Sequence, residues 1–300
     1  MDILEISHVS KFFGSNKVIE DLSFSVPEHS VFGFIGKNGA GKTTTMKMVL
    51  GLLKADGGEI LVNGEKVSFG QNTTNRYIGY LPDVPEFYGF LTPVEYLGMC
   101  GEITGMDKAQ IKERSGELLS LVGLEAVNKR IRGFSRGMKQ RLGIAQALLN
   151  RPRLLICDEP TSALDPVGRK EILDILLSVK EHTTVLFSTH ILSDVERICD
   201  RIAFLDEGKI ALNGTIDELK NIRKGDSIEI EFFRPEDADL FLQVQKGAAR
   251  TERTKVLLSG SGQTDMVGIM KTLAENHISI QRLEQLEPTL EDLFMEVVER

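Results

Sequence analysis

Apolar residues fall in two rhythms along this chain. Ile3, Leu4, Ile6 and Val9, and then Leu22, Phe24 and Val26, keep strand spacing on either side of Lys11, Phe12, Phe13 and Gly14. Short apolar runs at 30–35, 78–82, 154–157 and 184–189 read instead as buried strands, and a shorter strand and turn is expected at 57–64. Between 83 and 150 the rhythm becomes helical, with stripes at Val94, Tyr96 and Leu97 and at 118–122 and glycine breaks at 101, 105, 116 and 123. That stretch reads as a helical insertion between two strands of the sheet. A helix over 166–179 buries Ile172, Ile175, Leu176 and Val179. Ile228, Ile230 and Phe232 then alternate with Glu229 and Glu231. Helix, strand, helix and strand patterns follow at 236–246, 254–259, 264–276 and 277–283. A last helix over 290–298 is announced by Thr289 as its cap, with Asp292 three residues later. The expectation is an α/β fold with a mixed sheet, an antiparallel N-terminal β edge, a helical subdomain at about 83–150 and a small C-terminal α+β domain. The boundary is drawn between 1–220 and 221–300.

The candidate chemistry sits at the ends of the buried runs. After the run at 30–35, the spacing Gly36, Gly41, Lys42, Thr43 is that of a phosphate-binding loop. Glycines at 36, 39 and 41, with Asn38 and Ala40 between them, let the backbone curl so that successive N–H groups face a triphosphate. Lys42 adds a point charge there, the Thr43 hydroxyl is placed for Mg²⁺, and Thr44 is placed for the α-phosphate. The loop by itself says only that a nucleoside triphosphate binds.

The run at 154–157 closes on Asp158 and Glu159, two carboxylates at the carboxyl edge of a strand, where a core has no use for them. Asp158 is assigned to the metal and Glu159 to the attacking water. Asp165 and Pro166 stand at the cap and first position of the helix that follows. His190 lies just past the last buried strand, placed to donate to a γ-phosphate, although a histidine taken alone is more often structural. Phe13, just before a turn, reads equally as a stacking partner for a purine base and as a core phenylalanine.

Composition narrows the setting. Three hundred residues with 41% hydrophobic content suffice for one large or two modest domains, and a net charge of −8 argues against a nucleic-acid partner. The three cysteines, Cys100, Cys157 and Cys199, form no CxxC pair, so neither a zinc site nor a disulfide framework is expected and a reducing compartment fits. Residues 1–14 carry no signal-peptide pattern, and no apolar run approaches the roughly 18 residues that span a bilayer.

The loop GKNGAGKTT at 36–44, FSRGMKQR at 134–141, LLICDEPTSALDP at 154–166 and STH at 188–190 stand in the order and spacing of the ATP-binding cassette ATPases, which residues 3–214 resemble. The resemblance implies a P-loop NTPase fold, ATP and Mg²⁺ as cofactors, Phe13 as the base-stacking aromatic, and Gly39, Gly41, Lys42, Thr43 and Thr44 at the phosphates and metal. It implies likewise that Ser135 and Gly137 belong to a signature loop that contacts the γ-phosphate held by a second cassette, with Asp165 reaching across the interface. The partners so implied are an integral membrane permease and a second copy or a paralogous cassette, while the acidic balance and the single uninterrupted cassette argue against nucleic acid. The chain would then lie in the cytoplasm, peripheral on the inner face of the membrane. Four positions depart from the family pattern. Phe134, Arg136 and Met138 replace three residues of the usual LSGGQ signature, Arg136 standing where glycine is common, and Asp83 stands where the family commonly has glutamine. Asp83 is kept as a candidate near Mg²⁺. The C-terminal part, ending in PTLEDLFMEVV, resembles the ATPases of type two ABC exporters. An importer ATPase, or a soluble ABC ATPase of translation or regulation, is the alternative.

Overall fold

The computed structural model describes the chain except for residues 72, 223–225, 261–265, 287–288, 292 and 295–300. It divides into two compact units, Met1–Ile216 and Asp217–Arg300.

In the first unit, five parallel strands and one antiparallel one form a six-stranded sheet. The strands are β3 (Val31–Gly36), β6 (Ile78–Leu81), β7 (Leu154–Asp158), β8 (Thr184–Thr189), β9 (Arg201–Asp206) and β10 (Lys209–Thr215). Their spatial order is β10-β9-β3-β8-β7-β6. All residues of β3, β7 and β8 are buried. This is why they read as apolar runs without alternation, since a strand covered on both faces has no polar side.

The N-terminal strands do not join this sheet. β1 (Asp2–Phe13) and β2 (Asn16–Pro27) pair with β4 (Gly57–Val62) and β5 (Glu65–Lys66) in a separate antiparallel sheet, ordered β2-β1-β4-β5. Phe24 of β2 stacks on Phe32 and Phe34 of β3 at 5.6 and 5.2 Å. The two sheets therefore share one core, completed by Met46, Met48 and Val49 of α1 (Lys42–Val49).

The stretch between β6 and β7 is helical, as the stripes predict: α2 (Pro93–Ile103), α3 (Lys108–Leu121) and α4 (Arg136–Leu148). Capping boxes open the first two. Thr92 accepts from the Glu95 N–H, and Asp107 accepts from the Gln110 N–H. β7 is followed by α5 (Pro166–Ser178), and β8 by α6 (Leu192–Ile198).

The second unit begins with α7 (Ile216–Ile222) bridging the boundary and continues as β11 (Asp226–Phe232), α8 (Pro235–Val244), β12 (Ala248–Arg250), β13 (Lys255–Gly260), α9 (Met266–Glu275) and β14 (Ile280–Leu286). Its sheet is ordered β12-β13-β11-β14 and is antiparallel at every pairing. This βαββαβ succession with its first and third strands central is the ferredoxin-like arrangement. Ile228, Ile230 and Phe232 pack under Phe241 of α8 and Ile269 and Leu273 of α9. The expected strand at 277–283 is displaced to β14 because His277 sits in a left-handed turn, φ 52°. β12, three residues long, has no legible pattern. Of the last expected helix, residues 290–291 and 293–294 are helical, while Asp292 and 295–298 lie outside the described residues.

Candidate functional site

Strand order explains the site. β3, β8, β7 and β6 are parallel neighbours, with Ile35 level with Thr189, Asp158 with Ser188 and Leu81 with Cys157. Four chain segments distant in sequence thus leave the sheet at one edge, where open α/β sheets bind their ligands. There Asn38, Gly39, Gly41, Lys42, Thr43, Thr44, Asp83, Asp158, Glu159, Ser162 and His190 line one cavity of about 390 Å³. All but Ser162 are predicted site residues. Gly36 and Ala40 shape the loop from behind, through the Gly36 carbonyl and an Ala40 N–H to Lys37 carbonyl bond of 3.2 Å.

The loop's curl depends on Gly41, whose φ is +111°. A Cβ there would also fall 2.4 Å from the Ile19 Cδ1. Gly41 is the N-cap of α1 without a side chain to cap it, so the first N–H groups of the helix remain available to an anion. The Lys42 ammonium, almost wholly buried, donates to the Gly36 carbonyl at 2.7 Å and the Lys37 carbonyl at 3.2 Å, and meets Glu159 Oε1 at 3.2 Å.

Asp158 is 3% exposed and is held from two sides. The Thr43 hydroxyl donates to its Oδ2 at 2.8 Å, and the Ser188 hydroxyl donates to its Oδ1 at 2.6 Å. A threonine hydroxyl and a carboxylate side by side, open to a triphosphate cradle, are the oxygen donors that Mg²⁺ takes when phosphates and waters complete its shell. The residues therefore fit MgATP. Ser188 escaped the sequence reading, although its place in the STH run at the end of β8 was visible. What was not visible is the register that sets it opposite Asp158.

Glu159 has φ +48°, a left-handed conformation unusual for a residue with a long side chain. Its N–H donates to the Ser188 carbonyl at 3.1 Å and the Ser188 hydroxyl at 3.2 Å, which fixes that backbone. Its carboxylate meets His190 Nδ1 at 2.9 Å through Oε2 and Lys42 through Oε1. Burial, and next the negative charge of Asp158, pushes the nearby Tyr80 phenol up to about 12.

Asp83 lines the cavity, but its carboxylate accepts from Arg136 at 3.3 Å, and its carbonyl accepts from the buried Gln140 side chain at 2.7 Å. Two of the residues that depart from the family pattern therefore meet one another. Ser135, Gly137, Asp165 and Phe13 lie outside this cavity. Ser135 caps α4 by accepting from the Met138 N–H at 3.3 Å, and Asp165 caps α5 by accepting from the Gly168 N–H at 3.1 Å. Phe13 is 51% exposed, which excludes the core reading, with the Lys11 ammonium 5.3 Å from its ring centre. Asp56 anchors that turn: its carboxylate accepts from the Phe12 N–H at 2.7 Å and from Lys11 at 3.1 Å. The first of these bonds, with help from Lys11, holds the Asp56 carboxyl below the usual range.

Comparison with known proteins agrees with this geometry. Residues 19–162 match the family described as ABC transporter, and residues 214–298 match the C-terminal domain of DrrA1-3-like ATP-binding proteins. The bacitracin transport ATP-binding protein BcrA of Bacillus licheniformis is 35% identical over 99% of this chain and 97% of its own length. The linearmycin resistance ATP-binding protein LnrL of Bacillus subtilis is 32% identical over 99% of both chains. A solved structure of the ATP-binding subunit of an ABC transporter superposes with a TM-score of 0.66 at 35% identity, covering 73% of this chain and 92% of that one.

Proposed function

The chain belongs to the ATP-binding proteins of ABC transporters, and from that premise we propose that it drives export through a separate membrane permease, by closing with a second cassette around two MgATP. The family hydrolyses ATP and works with membrane permeases. Export is the reading favoured by the DrrA-like C-terminal unit and by relatives named for bacitracin transport and linearmycin resistance. No helix among the described residues is long and apolar enough to cross a membrane. Attachment at the cytoplasmic face through the permease accounts for a membrane role without one.

The observation that carries the reading is the convergence of Lys42, Thr43, Asp158, Glu159 and His190 on one cavity. Backbone N–H groups of 39–44 and the Lys42 ammonium cradle the phosphates, while Thr43 and Asp158 hold the metal, with Asp83 beside them. Magnesium, when bound, neutralises charge that develops on the transferring phosphoryl group. Glu159 orients the attacking water and takes its proton. His190 steadies Glu159 through their 2.9 Å contact and is placed to donate towards the γ-phosphate. Catalysis of this kind is positioning plus electrostatics. Phe13 offers an exposed ring to the base. Ser135, Gly137 and Asp165, outside the chain's own cavity, serve the site of the opposing cassette, either a second copy or a paralogue.

The deciding experiment is Glu159→Gln. It should retain ATP binding, lose turnover by on the order of 10²–10⁴-fold, and accumulate an ATP-bound dimer on size exclusion. Normal hydrolysis by that variant would remove Glu159 from the role of base. Lys42→Ala should instead lose nucleotide affinity.

A further inference from the structure

Behind the site lies a second polar cluster that takes no part in the chemistry just described. Asp194, in the first turn of α6, is 3% exposed, yet carries a carboxylate. The hydroxyl of Thr161, itself fully buried, donates to its Oδ2 at 2.7 Å, and the Arg169 guanidinium donates to its Oδ1 at 2.6 Å. A buried carboxylate is tolerated only when paired and hydrogen-bonded, and here each oxygen has its own partner from a different segment.

Those segments are the ones that carry the reacting groups. Thr161 lies two residues after Glu159. Arg169 lies one turn into α5, with its N–H donating to the carbonyl of the capping Asp165 at 2.9 Å. Asp194 itself lies four residues after His190. Glu159 at φ +48° and Ala163 at φ +52° are both left-handed without being glycine; the Glu159 N–H bonds to Ser188 anchor the start of the loop from 159 to 165, and the rest of it needs a tie of its own. Such a conformation persists only where its surroundings over-determine it. Within the loop, Ser162 N–H donates to the Glu159 carbonyl at 3.0 Å and Leu164 N–H to the Thr161 carbonyl at 3.3 Å. These bonds close the turn on itself but fasten it to nothing else. Thr161, between the two strained residues, supplies the side-chain tie from the loop to α6.

We infer that Asp194 is a positioning residue for ATP hydrolysis: it ties the Glu159–Asp165 loop and α5 to the segment that carries His190, so that base, histidine and capping aspartate are held in one register. Asp194 touches neither nucleotide nor water and acts only through Thr161 and Arg169. The inference rests on the assignment of Glu159 and His190 made above.

The test compares Asp194→Asn, Thr161→Val and Thr161→Ser in the full chain, measuring Mg-ATPase turnover and, separately, the affinity for a fluorescent ATP analogue. Asp194→Asn and Thr161→Val should each lower kcat by on the order of 10-fold or more, as a misplacement of about 1 Å does. Analogue affinity should stay within about twofold, since Lys42 and the phosphate loop are untouched. Thr161→Ser, which keeps the hydroxyl, should return to the parent rate. The double variant Thr161→Val/Asp194→Asn should be no slower than the worse single one, because both remove the same tie. If Asp194→Asn does not fold, Thr161→Val decides alone, since it preserves volume and leaves the Arg169 pair in place. An unchanged kcat in Thr161→Val, additive losses, or equal losses of kcat and affinity would overturn the inference. Glu159→Gln measured alongside separates the two readings. Turnover surviving there sinks the assignment of the base, whereas turnover lost there but kept in Thr161→Val sinks only the role of Asp194.

Discussion

At the scale of single residues, the site is made of side chains that are each held before any ligand arrives. Asp158 is fixed by Thr43 and Ser188, and Glu159 by Lys42 and His190. Gly41→Ala should be far more damaging than its size suggests, because the new methyl meets both an unfavourable φ of +111° and the Ile19 Cδ1 at 2.4 Å. The measurement is ATP affinity by titration; a Kd within about twofold of the parent would show that the loop re-forms without glycine there. Ser188→Ala removes one of two donors to a buried carboxylate, a loss of about 1–3 kcal/mol for a group left short of a partner. Its expected signature is a weakened Mg²⁺ requirement curve, with half-activation moving to higher metal concentration. Gly41 and Lys42 were legible because a phosphate loop is a local device whose parts are adjacent in sequence. Ser188 was not, since its role comes from lying level with Asp158 across 30 residues of chain.

At the scale of elements, β6 and α4 approach closely through glycines. A Cβ on Gly79 would fall 2.1 Å from the Ala147 carbonyl oxygen, and one on Gly143 would fall 2.5 Å from the Leu81 Cδ1. β6 leads to Asp83 and α4 starts from Ser135, so a shift of α4 at this contact is expected to reach the signature segment. Gly79→Ala should cost about 1–3 kcal/mol by overpacking, read as a lower denaturation midpoint, and should lower kcat as well because α4 must move. Stability lost with kcat unchanged would show that α4 does not position the signature segment. The helical character of 83–150 was plain in the sequence, whereas this contact was hidden, because a glycine inside a strand pattern does not say which backbone approaches it. Likewise β1 and β2 were legible as strands, but that they pair with β4 rather than with the parallel strands depends on contacts 50 residues away.

At the scale of the whole molecule, two units each own a core. In the second, Phe241 is fully buried among Ile228, Ile230 and Phe232. Phe241→Ala should therefore destabilise that unit by about 3–5 kcal/mol while leaving ATP affinity unchanged, since every residue lining the cavity lies in the first unit. Separate thermal transitions followed with and without MgATP would report this, and a fall in ATP affinity would show that the units share their stability. The sequence by itself determined where a phosphate-binding loop stands, which two carboxylates close a buried strand, where the helical insertion lies and that a small α+β unit follows, because loops, caps and buried strands are written in neighbouring residues. Only the tertiary structure decided the strand order that gathers 36–44, 83, 158–159 and 190 at one edge. The same holds for the register that gives Asp158 its second donor, the meeting of Arg136 with Asp83, and the buried carboxylate of Asp194 behind the site. Those depend on which segments become neighbours, and hydrophobic burial, being non-directional, does not record its partners in the pattern that causes it.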